Sequence, residues 1–284
     1  MKVLVTGAGG QLGHDVVKEL AGRGIEAVGT DSRRLDITDR GLVDRIMEEE
    51  HPDAVIHCAA YTAVDAAEDN EELCRQVNVE GTRSLAMACR RLDCKMIYIS
   101  TDYVFDGAGE RPWEPEDACH PISVYGRSKY EGELAVQEIL EKYFIVRVTW
   151  TFGINGKNFV KTMLRLARDH DTLKVVDDQF GSPTYTADLA VLLADMVGTD
   201  RYGIYHAASE GVCSWYEFAC TIFRMAALPV KVLPVTTAQY GARAARPANS
   251  RMSKEKLTAR GFQKLPHWQD ALGRYLDALG QEID

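Results

Sequence analysis

Residues 2–6, Lys-Val-Leu-Val-Thr, run directly into glycines at 7, 10 and 13, and a helical period takes over across 15–20. A short apolar run ended by glycine is the pattern of a buried strand entering a tight turn. Strand, glycine turn and helix in that order open a βαβ unit. The spacing is G-x-x-G-x-x-G; the alternative G-x-G-x-x-G fails because Leu12 stands where its last glycine belongs. Gly7, Gly10 and Gly13 permit the turn and let a pyrophosphate approach backbone N–H groups at a helix N-terminus. A second strand over 26–31 ends at Asp31, eighteen residues after Gly13. An acidic residue there accepts hydrogen bonds from ribose hydroxyls and favours NAD, whereas the following Arg33 and Arg34 suit a 2′-phosphate and favour NADP. The expectation at this point is NAD(P), without a choice between the two.

The same alternation continues along the chain. A helix is expected over 41–50, a strand over 53–60 ending in small residues, and a long helix over 72–92. A strand over 95–100 ends at Thr101, and a helix over 128–139 leads to a strand over 143–149 with Trp150 at its mouth. A helix over 158–169, a strand over 173–176 and a helix over 187–197 follow. Such alternation predicts an α/β fold with a doubly wound, mainly parallel, Rossmann-like sheet. From 202 the pattern loosens into short elements around 204–207, 215–225 and 230–235, with a closing helix over 268–279. These suggest a smaller C-terminal α/β substrate domain. The expected division assigns 1–150 plus roughly 175–200 to the dinucleotide, and roughly 151–174 plus 201–284 to the substrate.

Tyr125 and Lys129 stand four residues apart, on one face of a helix. A free tyrosine has a pKa of about 10, and a cation within ~4–6 Å favours its ionised form. The pair is therefore a candidate proton donor and its activator. Thr101 sits at a strand's carboxyl end, where ligands of doubly wound sheets bind, and its hydroxyl can meet a substrate carbonyl. His57 reads as a core histidine. With no H-E-x-x-H and no paired Cys/His spacing, no zinc site is expected.

A net charge of −9 argues against general nucleic-acid binding. The acidity is uneven: 218–254 holds no Asp or Glu but carries Arg224, Lys231, Arg243, Arg246, Arg251 and Lys254. Arg243, Arg246 and Arg251 are candidates to clamp a small anion such as a diphosphate. Seven cysteines without C-x-x-C spacing fit reduced thiols and a cytoplasmic setting. The first apolar run is too short for a signal peptide, and no run approaches the ~20 residues needed to cross a bilayer.

The glycine turn, Thr101 and the Tyr125/Lys129 pair together resemble an extended short-chain dehydrogenase/reductase. The stretches 62–68, 100–106, 125–129, 158–167, 178–184 and 246–251 sharpen this, because they resemble, in order, the motifs of the dTDP-4-dehydrorhamnose reductases. That resemblance implies reduction of the 4-keto group of dTDP-4-dehydro-6-deoxy-L-mannose to dTDP-L-rhamnose with NADPH or NADH. It implies Tyr125 as proton donor, Lys129 on the nicotinamide ribose and Thr101 beside the sugar carbonyl. Asp102, Trp150 and Asn249 fall on the substrate side. Gly10, Gln11, Leu12, Asp31, Asp36 and Ile37 would line the cofactor, joined by Ala59, Ala60 and Tyr61. Some members form homodimers through Mg2+ held by acidic side chains; no ligand set is assigned here. Two other readings compete. One is a nucleotide-sugar epimerase or dehydratase of the same fold. The other is a non-catalytic subunit like the β subunit of methionine adenosyltransferase, against which the joint presence of Thr101, Tyr125 and Lys129 weighs.

Overall fold

The structure is a computed structural model and describes residues 1–281. Its centre is a sheet of six parallel strands. In spatial order they are Gly203–His206, Tyr143–Val148, Lys95–Thr101, Ala54–His57, Lys2–Thr6 and Glu26–Thr30. Successive side chains of a strand point to opposite faces, so the first strand feeds two cores. Val3 and Val5 meet Val16 and Leu20 of the helix Gln11–Gly22 and Leu189 and Leu193 of Thr186–Val197. Leu4 meets Val43 and Met47 of Arg40–Glu50, Leu85 of Thr82–Leu92 and Val136 of Val124–Ile139. The sheet is doubly wound, as expected from the alternation.

The first strand lies between the second and third, so the winding reverses beside it. Ligands of such sheets bind beyond the carboxyl ends at that reversal. Here the glycines are required by space. Gly7 has φ +69°, and a Cβ on it would lie 2.7 Å from the Ala59 nitrogen; a Cβ on Gly13 would lie 2.3 Å from the Gly7 carbonyl oxygen.

Three expectations are corrected. The rod predicted over 72–92 is broken by a π-helical turn at Gln76–Gly81, between Glu71–Arg75 and Thr82–Leu92. The helix predicted from 128 starts at Val124, because Ser123 Oγ caps it by accepting from Gly126 N at 3.1 Å. Tyr125 thus belongs to the first turn. Finally, Gly203–His206, which the expected division placed outside the dinucleotide unit, is a full member of the central sheet through Tyr143–Val148. Conversely, Thr172–Val176 pairs with Lys231–Val235 in a separate two-stranded sheet. That sheet belongs to a smaller lobe, whose core gathers Phe152, Val160, Phe218, Trp268 and Tyr275.

A buried ion pair fastens the helix Val124–Ile139 to the sheet. Glu133 accepts from Arg147 Nε at 2.8 Å and Nη2 at 2.7 Å, and from Ser100 Oγ at 2.5 Å. Neither charged side chain is more than 2% exposed. Removing one partner strands the other charge in the core. Glu133→Ala should therefore cost ~3–5 kcal/mol in urea unfolding; a loss below ~1 kcal/mol would show that Arg147 finds water or another acceptor.

Candidate active site

A cavity of about 830 Å³ opens at the carboxyl ends of the central strands. Gly7, Gly10, Gln11, Leu12 and Gly13 line one end, with Asp31, Asp36, Ile37, Ala59 and Ala60 beside them. Thr101, Asp102, Tyr125, Lys129 and Trp150 line the other. The residues predicted for a dinucleotide and for chemistry thus share one space. Tyr61 is an exception: it packs with Ala67, Cys74 and Val124. Its backbone N–H and carbonyl are both held by the Asn78 amide, at 2.8 and 3.1 Å.

The glycine end fits a dinucleotide on its own geometry. The helix Gln11–Gly22 starts at Gly10, which offers no side-chain acceptor to its first turn. Orphan N–H groups at such an end suit a phosphate. The Gln11 side-chain oxygen Oε1 accepts from Gly153 N at 2.8 Å and Asn158 Nδ2 at 3.1 Å, tying this turn to the chain entering the smaller lobe. On the rim, Arg33 donates to Asp31 Oδ2 at 3.0 and 2.6 Å and holds that carboxyl below its ordinary pKa. The ribose acceptor and the phosphate-pairing cation therefore occupy the same place, while Arg34 turns away to Glu50.

At the other end, burial governs. Lys129 is 2% exposed, and its ammonium lies 4.0 Å from the centre of the Tyr98 ring. Loss of water pulls its pKa down to about 7, against the opposing field of Glu133 one turn along the helix. Burial likewise pushes the Tyr125 phenol well above its ordinary pKa; the Thr101 hydroxyl counters the rise and Asp102 adds to it. The expectation that Lys129 acidifies Tyr125 is corrected: the two line one cleft, but burial sets the direction of the phenol's shift and Lys129 is not among the groups that oppose it. A phenol kept protonated is suited to donating its proton. Asp102, also buried, is raised to about 6. It accepts from Thr101 Oγ1 at 3.1 Å and from Ser250 Oγ.

Ser250 escaped sequence reasoning because its motif was read for its arginines. Trp215 also escaped, since an indole at a helix start reads as core. It lines the cavity and stacks on Trp150 at 3.7 Å and 17°. Trp150 adopts φ +45°, a left-handed conformation costly for a bulky side chain and one that surrounding contacts must hold. His57 is a satisfied core residue, held between Thr6 Oγ1 at 2.7 Å and Thr82 Oγ1 at 3.1 Å.

The basic segment divides. Arg246 makes a two-point pair with Asp65 at 2.6 and 3.0 Å, and Arg243 pairs with Asp69. Asn249 is buried and spends its amide on the Arg111 carbonyl at 2.8 Å and on Arg251. Arg251 stacks on Phe180 and lines a separate cavity of about 410 Å³. None of Arg243, Arg246, Asn249 and Arg251 lines the cleft: the first two are drawn to Asp69 and Asp65, and the loop turns the other two into lobe packing. Among the described residues no group of three or more His, Cys, Asp or Glu side chains converges to hold a metal. Nor is any helix there long and apolar enough to cross a membrane.

A doubly wound sheet with a glycine turn at its reversal, facing Thr101, Tyr125 and Lys129 across one cleft, defines a protein of the short-chain dehydrogenase/reductase class. The chain belongs to the RmlD substrate binding domain family, whose model matches residues 1–281. It is 43% identical over 283 residues to a dTDP-4-dehydrorhamnose reductase of Streptomyces griseus, covering 97% of this chain and 93% of that protein. A crystal structure of a dTDP-4-dehydrorhamnose reductase from Clostridium acetobutylicum matches with a TM-score of 0.96 at 42% identity, over 99% of this chain and all of the other. The Bacillus anthracis enzyme of that name, crystallised with NADP, matches with a TM-score of 0.95 at 44% identity, over 98% and 100% of the two chains.

The lowered Lys129 pKa has a thermodynamic consequence. Below pH ~7 the ammonium persists in the fold and its desolvation penalty is complete; between ~7 and ~10.5 only the unfolded chain binds that proton, so stability rises with pH; above ~10.5 the penalty is gone. Lys129→Met should therefore be more stable than the parent at pH 7 by at least ~1 kcal/mol. Its advantage should shrink as denaturant melts are repeated toward alkaline pH. A pH-independent difference would place the Lys129 charge in water.

Proposed function

We propose that this chain is an NAD(P)H-dependent reductase that converts the 4-keto group of dTDP-4-dehydro-6-deoxy-L-mannose to the alcohol, giving dTDP-L-rhamnose. The observation that carries this reading is the placement of Thr101, Tyr125 and Lys129 in the cavity that also contains the Gly7–Gly13 turn. Its substrate follows the family, whose relatives at 42–44% identity bear the name of this reductase.

Gly10, Gln11 and Leu12 at the helix start would hold the cofactor's pyrophosphate, Asp31 or Arg33 its adenosine ribose or 2′-phosphate, and Lys129 its nicotinamide ribose. When bound, the reduced nicotinamide supplies a hydride. Tyr125 Oη gives its proton to the carbonyl oxygen as negative charge gathers there, and the Thr101 hydroxyl, turning from Asp102, would donate to the same oxygen. Both donors act most strongly on the charge-separated transition state. The buried walls keep water from competing for it. Arg246, whose two terminal nitrogens each give a hydrogen bond to Asp65, would turn its remaining N–H donors to the diphosphate of the sugar nucleotide. The larger lobe serves the cofactor, and the smaller lobe with the loop around Arg246 serves the sugar nucleotide.

The test is reduced-nicotinamide consumption with the keto-sugar generated from dTDP-glucose by upstream enzymes, comparing NADPH with NADH. Stoichiometric oxidation is expected; turnover without net oxidation would indicate an epimerase or dehydratase. Tyr125→Phe should lower kcat by at least ~100-fold, the usual worth of a general acid, while NADPH binding followed by fluorescence stays near that of the parent. Near-normal turnover would remove Tyr125 from the chemistry. Arg246→Ala should raise KM for the sugar nucleotide about tenfold or more with little change for NADPH; an unchanged KM would return Arg246 to loop packing.

A further inference from the structure

The stretch 62–69 takes no part in the chemistry above, yet three of its carboxylates hold different pieces of the site. Asp65 accepts from Ala244 N at 3.0 Å and from both terminal nitrogens of Arg246 at 3.0 and 2.6 Å. Asp69 pairs with Arg243. Glu68 Oε1 accepts at 2.9 Å from the backbone N–H of Val124, the residue before Tyr125. These groups belong to or directly follow the short helix Val64–Ala67, so about one helical turn separates Asp65 from Glu68.

That short helix is itself anchored. Ala67 is fully buried against Cys74 and Val124, with Tyr61 and Tyr125 packed on the same cluster. Asn70 closes its end by donating to the Ala66 carbonyl at 2.8 Å. The two arms also meet on the cleft side. Tyr103 feels the positive charge of Arg246, and its ring stands edge-on to that of Tyr125 at 5.5 Å.

We infer that Asp65 and Glu68 are positioning residues that set the distance between the anion-pairing Arg246 and the proton donor Tyr125. The inference rests on the function proposed above. In a hexose linked through C1 to a diphosphate, the phosphates and the C4 oxygen lie at opposite ends of the ring. A fixed span between a guanidinium and a phenol therefore selects which ring carbon meets the proton donor. Asp65 aims Arg246 by a two-point pair, which orients a planar guanidinium more strictly than a single contact. Glu68 fixes the first turn of the helix bearing Tyr125 by satisfying an N–H that this turn leaves without a helical partner. Both settings are referred to one rigid piece of chain, so they hold relative to each other.

The experiment is steady-state kinetics of the full chain with the dTDP-keto-sugar and NADPH, comparing the parent with Asp65→Asn, Glu68→Ala and Glu68→Gln. Loss of one charge-assisted hydrogen bond is expected to cost about tenfold. For Asp65→Asn the loss should fall on KM for the sugar nucleotide, with KM for NADPH within about twofold. For Glu68→Ala it should fall on kcat, and Glu68→Gln, which keeps an acceptor, should recover most of it. A KM for NADPH that rises as much as that for the sugar, or a Glu68→Gln as impaired as Glu68→Ala while still folded by circular dichroism, would overturn positioning in favour of general destabilisation. Unchanged kinetics in both arms with an active parent would overturn this inference alone; a parent that oxidises no NADPH with the keto-sugar would overturn the underlying function as well.

Discussion

The pairing of Glu133 with Arg147 is the interaction on which the site most depends. Its desolvation cost is high, and only complete hydrogen bonding offsets it. Both Glu133 oxygens are engaged, by Arg147 and by Ser100, so one carboxylate locks the helix Val124–Ile139 to two neighbouring strands. Lys129 lies one turn before Glu133 and Tyr125 two turns before it. Thr101 directly follows Ser100. The three chemical groups are therefore located by the same lock. Gly132 completes it: a Cβ there would lie 2.3 Å from the Tyr98 hydroxyl and 2.7 Å from the Asn78 carbonyl, so no larger residue lets the helix settle this deeply.

Depth sets the electrostatics. Lys129 is pulled toward neutrality, while Asp102 and Tyr125 are pushed toward their protonated forms, and in each case burial is the largest cause. The site thus sets a protonated phenol between two groups, Lys129 and Asp102, whose charges burial makes costly. In a medium poorer in water than the surface, such a donor acts more strongly. This differs from a phenolate prepared by a neighbouring ammonium: the buried phenol holds its proton until negative charge builds beside it.

Much of this was legible in the chain. Residues 2–13 announce strand, turn and helix because only glycine fits where Gly7 meets Ala59 and where Gly13 meets Gly7. Tyr125 and Lys129 were legible as a same-face pair from spacing alone. What spacing could not provide was the dielectric around them, which depends on depth of burial and on residues as distant in the chain as Tyr98. Gly203–His206 was misassigned because four residues carry little pattern, and their membership of the sheet comes from pairing with Tyr143–Val148. The start of the helix bearing Tyr125 was set too late because Tyr-Gly-Arg-Ser is a weak helix former, although Ser123 was available as a cap. The basic segment showed its charge but not its neighbours. Asp65 and Asp69 engage two of its arginines, and Asn249 turns Arg251 elsewhere.

Fold and site converge on a cleft, between the glycine turn and Tyr125, built for reduction at C4 of a sugar nucleotide. The most direct test is the fate of isotope from reduced cofactor carrying deuterium at both C4 positions of the nicotinamide, followed by mass spectrometry and NMR of the sugar product. One deuterium per product molecule is expected, carried on C4 of the hexose. Product without deuterium, or deuterium at another ring carbon, would contradict it.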